Sequence, residues 1–205
     1  MAIMTAAEAR LYVRGITGTG EDSNLSTLIS RADAVFASFL WLPPASAGAA
    51  ATLEDTTITL YLDGPGGQEL RLPYGPILSV TSIHDSDDRL YSSADLVAAS
   101  DYELYGDESL IRLTDTSSHG YWSTTRRAIK VAAVIGFSTI PEDIKHAAGL
   151  QVAHWFQGRD HVGRKSISQG GGSITVNGLD LLPEVKQALA PYRQAGAIWG
   201  GEWLT

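Results

Sequence analysis

The sequence has no cysteine, which excludes disulfides, thiolate nucleophiles and every zinc site built on sulfur. It has no apolar run approaching the ~18 residues of a membrane span. The opening stretch MAIMTAAEARLYVRG lacks the apolar core of a secretory signal. The expectation is a soluble, intracellular product that does not enter a membrane. The chain is also short of positive charge, with 15 Lys and Arg against 23 Asp and Glu and a net charge of −8. That shortfall is local. Residues 1–43 carry three basic and four acidic side chains, residues 44–140 carry six and thirteen, and residues 141–205 carry six of each. A whole-surface nucleic-acid binder needs a basic face, so this balance argues against one. The acidic middle reads as a solvated surface that aids solubility.

With 205 residues, 44% of them hydrophobic, the chain can bury a core as one domain or one domain with a sizeable insertion. Thr5 and Glu8 have capping-box spacing and predict a short helix through about Val13, ended near Gly15. Asp22, Ser23 and Asn24 offer caps to a second helix. Its apolar positions Leu25, Leu28, Ile29, Ala32, Phe36, Phe39 and Leu40 fall on one face, and Pro43 and Pro44 stop it. From about residue 56 the period changes to two. TTITLYLDGPGGQELRLP predicts a hairpin turning at Gly64–Gly67, and PILSVTSIHDSDDRLY predicts a strand, a turn and a second strand. DYELYGDESLIRLT predicts a hairpin turning at Gly106-Asp107, and RRAIKVAAVIGF a last strand with Ile129, Val131, Ala133 and Ile135 on one face. Helix returns at IPEDIKHAAGLQVAHWFQG, with Pro141 at its first position and a buried face of Ile144, Ala147, Ala148, Val152, Trp155 and Phe156. A final helix starts at Pro183. The helices at 23–42 and 141–158 each have one apolar face and no sequence neighbour to cover it, so they are expected to pack together.

Several stretches invite a chemical reading. GRDHVGRKSISQGGGSITV, residues 158–176, approaches a phosphate-binding loop, with Gly158, Gly163, Lys165 and Ser166 missing the pattern by one residue. Such a loop needs a buried strand before it and a helix after it. Here a helix precedes and an extended glycine-rich segment follows, so the stretch reads as a flexible arm. HDSDD at 84–88 offers a histidine and three carboxylates, but it lies where the chain must turn and lacks the glycine and bidentate glutamate of a calcium loop. His146, His154 and His161 lie eight and seven residues apart, which does not match the spacing that brings two imidazoles onto one metal. GGSIT at 171–175 has Thr175 where a nucleophile elbow needs glycine. No catalytic, metal or cofactor site emerges from these motifs.

The order of segments resembles that of the head–tail connector proteins of tailed bacteriophages, the adaptor family that docks under the portal ring. TAAEARLYVRG followed by DSNLSTLISRADAVFASFL is similar to the family's first helix pair. LPYGPILSVTSI and DYELYGDESLIRLT resemble its β region, and AIKVAAVIGFSTIPEDIKHAAGLQVAHWF its strand–Gly–Pro–helix junction. RKSISQGGGSITV and LPEVKQALAPYR resemble its extended arm and last helix. The resemblance covers most of residues 5–193. The β region is long for the smallest members, and the tail after Tyr192 has no assigned counterpart.

The expected fold is α+β: an antiparallel helical bundle with an inserted antiparallel β region and an extended arm before the last helix. The expected domains are N-terminal helices at 1–43, a β-rich insertion at 52–138, C-terminal helices at 139–193 with the arm at 163–178, and a tail at 194–205. The resemblance implies a structural virion protein rather than an enzyme, placed at the head–tail junction and assembled in the host cytoplasm. It implies a homo-oligomeric ring, commonly dodecameric, between the portal protein and a stopper or tail-completion protein, with DNA passing through the lumen only as cargo. Subunit and portal contacts are expected on the arm and tail, at Arg164, Lys165, Ile167, Gly170, Gly171, Gly172, Ile174, Val176, Tyr192, Arg193, Trp199 and Trp203. The alternatives are another virion ring, such as a stopper or tail terminator, and a DNA-binding module using Arg126, Arg127, Arg164 and Lys165.

Overall fold

The computed structural model describes residues 3–159, 166–169, 172–175 and 180–193. In chain order its elements are α1 (Ala6–Arg10), α2 (Asp22–Phe39), β1 (Thr56–Leu62), β2 (Glu69–Arg71), β3 (Ile77–Asp85), β4 (Tyr102–Tyr105), β5 (Leu110–Leu113), β6 (Ile129–Ile135), α3 (Glu142–Gly158), β7 (Ser166–Gln169), β8 (Gly172–Thr175) and α4 (Pro183–Leu189). The class is α+β, with antiparallel sheets. The chain divides into two compact units, a helical one from Met1–Leu40 with Ile140–Arg193 and a β-rich one from Trp41–Thr139.

In the helical unit α3 packs against α1, α2 and α4. The expected meeting of the second helix with the one after Pro141 is therefore present. α2 buries Leu25, Ile29, Ala32 and Phe36 at the helical spacing of its apolar residues, and Leu25 and Phe36 are completely enclosed. Each large side chain buried in this way contributes roughly 1.5–3 kcal/mol. α3 buries all six expected positions and also Gly149, Gln151 and Ala153, because helices approach it from more than one side. At Gly149 the ring of Tyr12 lies where a side chain would begin, 2.6 Å from an added Cβ. The α1 capping box forms as its spacing implies, with the Glu8 amide donating to Thr5 Oγ1 at 3.2 Å and the Thr5 amide to Glu8 Oε2 at 2.6 Å.

Two helix boundaries differ from expectation. α2 ends at Phe39, before the prolines, and Trp41 takes a left-handed backbone at φ 64°. Pro141 precedes the first turn of α3 as its N-cap rather than opening it, whereas Pro183 does open α4.

In the β-rich unit, one sheet has the order β1-β6-β3 and a second the order β2-β5-β4. β6 is the central strand of the first sheet, and Ile129, Val131, Ala133 and Ile135 are buried along one face. The expected hairpin across residues 56–72 does not form. β1 pairs with β6 over Thr56↔Ile135 to Leu62↔Ile129, and β2 pairs with β5. The intervening glycines serve a different contact. The amides of Gly64 and Gly66 donate to the carbonyls of Thr125 and Ser123 at 3.0 and 3.1 Å. A Cβ on Gly64 would lie 1.9 Å from the Ser123 oxygen, so only glycine admits that backbone so close. Nor does a second strand follow β3, because the chain turns through Ser86–Arg89 and takes positive φ at Arg89 (64°) and Tyr91 (50°). The β4–β5 hairpin forms as expected, and its turn is anchored by the Ile77 amide donating to the Gly106 carbonyl at 3.1 Å.

Candidate assembly surfaces

The arm leaves the C-terminal end of α3. There Arg159 lies 4.0 Å over the ring of Phe156 and donates to Glu21 Oε2 at 3.1 Å. These residues, with Arg14 and Ile16, line an open cleft in the helical unit. Farther along the arm, β7 and β8 pair antiparallel in the register Ser166↔Thr175, Ile167↔Ile174, Ser168↔Ser173 and Gln169↔Gly172. The segment read as an extended arm thus contains a β-ribbon, and among the described residues its two strands pair only with each other.

The buried Gln151 on α3 fixes the chain where the arm returns. Its Nε2 donates to the Asp180 carbonyl at 3.2 Å, and its Oε1 accepts from the Leu182 amide at 2.9 Å. One side-chain amide therefore satisfies a donor and an acceptor at the entry to α4. The sequence pattern did not single out Gln151. The available signal was a polar residue inside an apolar helical face, flanked by Ala147, Ala148 and Val152.

Of the twelve expected contact residues, Ile167, Gly172 and Ile174 lie in the ribbon. Tyr192 and Arg193 belong to the end of the helical unit. The Tyr192 hydroxyl donates to the Asp143 carboxylate at 2.8 Å, and that bond raises the phenol's pKa above its ordinary value. The Arg193 guanidinium lies 5.3 Å over the Phe39 ring. Both thus fasten the chain after α4 onto α2 and α3. Arg164, Lys165, Gly170, Gly171, Val176, Trp199 and Trp203 lie outside the described residues, as do His161 and most of the stretch that resembled a phosphate loop.

HDSDD is spent on loop geometry. Asp85 Oδ2 accepts from the Ser123 amide at 3.0 Å and lies 3.3 Å from His119 Nε2. Asp87 accepts from the Ser123 hydroxyl and, at 2.8 Å, from Thr125 Oγ1. Those hydroxyl bonds, Ser123 first, hold the Asp87 carboxyl below the ordinary aspartate range. Asp88 accepts from Ser86 Oγ at 2.7 Å and the Leu90 amide at 2.9 Å. His146 Nδ1 sits 3.1 Å from the Tyr12 hydroxyl. Among the described residues no group of three or more metal-ligating side chains comes together, and no helix is long and apolar enough to cross a membrane.

Fold and surfaces together define a mixed α+β chain whose distinctive parts are a two-stranded ribbon and a discontinuous helical unit. The model of the head completion protein family matches residues 2–195, and the chain belongs to that family. It is a structural head–tail connector component of a phage-like virion, located at the head–tail junction. Among solved structures, a chain of the neck of an empty GTA particle, computed with C6 symmetry, shares the fold. It is 18% identical, with a TM-score of 0.58, over 97% of this chain and 93% of that one. No curated protein matches in sequence.

Proposed function

We propose that the chain is the adaptor subunit of a homo-oligomeric ring between the portal and a stopper or tail-completion protein, with the genome passing through its lumen. The observation that carries this reading is the family match over residues 2–195. The likeness to a chain of a six-fold symmetric neck supports it, since such symmetry accommodates rings of six or twelve copies. In this reading the residues at 1–43 and 139–193 are the bundle that builds the ring wall, and those at 52–138 are an insertion that shapes one face.

The arm at 163–178 is the docking element. β7 and β8 each have an edge that no described strand covers, which suits strand addition to a neighbouring subunit or to the portal. Arg164 and Lys165 at the arm's base, Ile167, Ile174 and Val176 along it, and Trp199 and Trp203 in the tail are the contacts proposed. Gly170, Gly171 and Gly172 are proposed contacts of the same arm. Tyr192 and Arg193, after α4, are proposed contacts as well, held by Asp143 and Phe39 of the helical unit. Deleting 168–176 tests this. The purified subunit should keep its melting temperature, while particles accumulate as unjoined heads and tails. Normal particles, or an unfolded subunit, would remove the docking role.

A further inference from the structure

The acidic β-rich unit contains one concentrated basic-aromatic patch. Tyr61 on β1 and Tyr91 after β3 meet at 5.4 Å between ring centroids. The Arg127 guanidinium lies 5.2 Å over Tyr61, and Lys130 Nζ lies 5.6 Å over Tyr91. Arg89 and Arg126 lie beside this group in sequence and are exposed, so four of the six basic residues of 44–140 fall in these two segments. The backbone beneath is held in an unfavourable form, with left-handed φ at Arg89, Tyr91 and Arg127, none of them glycine. Two bonds hold it there: the Tyr91 hydroxyl to the Arg127 carbonyl at 2.6 Å and the Arg127 amide to Asp63 Oδ1 at 2.8 Å. Tyr61 nevertheless stays 44% exposed. Strain maintained under an exposed group of rings and cations is the signature of a recognition surface rather than of a core.

Near the other end of β6, the β4–β5 turn of the second sheet meets β3 and is rich in carboxylates. The patch sits where β6 begins, at Ile129. The β4–β5 turn is tied to Ile77, which pairs with Ile135 at the other end of β6. The two ends are roughly 20 Å apart at ~3.3 Å per residue. The turn exposes Glu103, Asp107 and Glu108, together with Tyr105, which is 38% exposed and donates to Glu103 at 2.8 Å.

We infer that the Tyr61/Tyr91/Arg127/Lys130 patch of one copy docks on the acidic β4–β5 turn of the next copy. The inference deepens the ring reading above and rests on it. Complementary patches at two ends of one unit make a head-to-tail contact rather than a two-fold one. Such a contact builds a ring where the rotation from copy to copy closes, as the ring reading requires. A second copy is favoured over DNA for two reasons. The ring faces are already covered by their own cations, so they are not free to stack on bases. The unit's excess of acid also repels a polyanion.

The absence of cysteine gives a clean test. Rings of the full-length Asp107→Cys/Arg127→Cys variant should yield, on mild oxidation, a ladder of covalent oligomers, and neither single variant should do so. In parallel, Arg127→Glu/Lys130→Glu should weaken ring formation by more than about tenfold, as like-charge contact does. Adding Glu103→Lys/Glu108→Lys should restore it, and melting curves of each variant report whether the subunit is folded. Rings that form without cross-linking and tolerate the reversal overturn this contact while leaving the ring reading intact. A wild-type protein that forms no ring, alone or on its particle, overturns both. Salt-sensitive binding of duplex DNA that is lost in Arg127→Glu/Lys130→Glu, with rings unaffected, would assign the patch to nucleic acid instead.

Discussion

At the scale of single residues, the positions that carry the most structural information are those where one side chain serves two strands of logic. Gln151 is wholly buried, and both ends of its amide are used on the backbone at 180–182. Gln151→Leu keeps the volume but removes both bonds from the part-buried Asp180 carbonyl and Leu182 amide, and should cost about 1–3 kcal/mol in all. Denaturant unfolding should show that loss, and hydrogen exchange at Leu182 should rise with it. Gly149 is the apolar counterpart. Gly149→Ala drives a methyl into the Tyr12 ring and should cost about 1–3 kcal/mol. The same change should break the Tyr12–His146 hydrogen bond, visible as a shift in the His146 ring signals. Asp87 gives a pH prediction. Its pKa is lowered in the folded chain, so its stabilising bonds are fully present above the ordinary aspartate value of about 3.9. They are lost as pH falls below that value and through the lowered one. Amide protection at Ser123 and Thr125 should fall in acid before the sheets open.

At the scale of elements, α2 and α3 bind the two halves of the helical unit across a long stretch of chain. Phe36→Ala or Phe156→Ala removes an aromatic from that contact and should cost ~3–5 kcal/mol, measured by thermal or denaturant unfolding. Gly106→Ala tests the hairpin anchor, because its Cβ would lie 2.2 Å from the Ile77 oxygen. The variant should lose the Ile77–Gly106 bond and loosen β4–β5 before the rest of the unit. These elements also show what a sequence pattern can convey. The change of period near residue 56, the face of β6 and the faces of α2 and α3 were all legible, since each is a local record of which side meets the core. The partners of β1 and β2 were not. Glycine-rich DGPGG suggested a hairpin, whereas those glycines admit the distant backbone of 123–125. Strand existence is local, but strand pairing is decided by contacts far along the chain, from Arg71↔Leu110 to Thr56↔Ile135. The same limit hid the basic-aromatic patch, whose members come from three separated segments, Tyr61, Arg89–Tyr91 and Arg126–Lys130.

At the scale of the whole molecule, the membership of the head completion family was legible from the order of weak motifs, none of which identifies a connector alone. The helical unit is built from two chain segments, Met1–Leu40 and Ile140–Arg193, with the β-rich unit between them. During synthesis at ~5–20 residues per second, α2 leaves the ribosome about 5–20 s before α3 exists. For that interval α2 has α1 as a native partner but lacks the cover that α3 supplies, whereas the β-rich unit already has all of its described strands. A purified fragment ending near residue 140 should therefore show protected β6 amides and a poorly protected α2, and chaperones that bind apolar segments should select the α2 stretch. Only a translated α3 joins α1, α2 and α4 into one unit, so a chain cut short by a premature stop should leave the helical unit open.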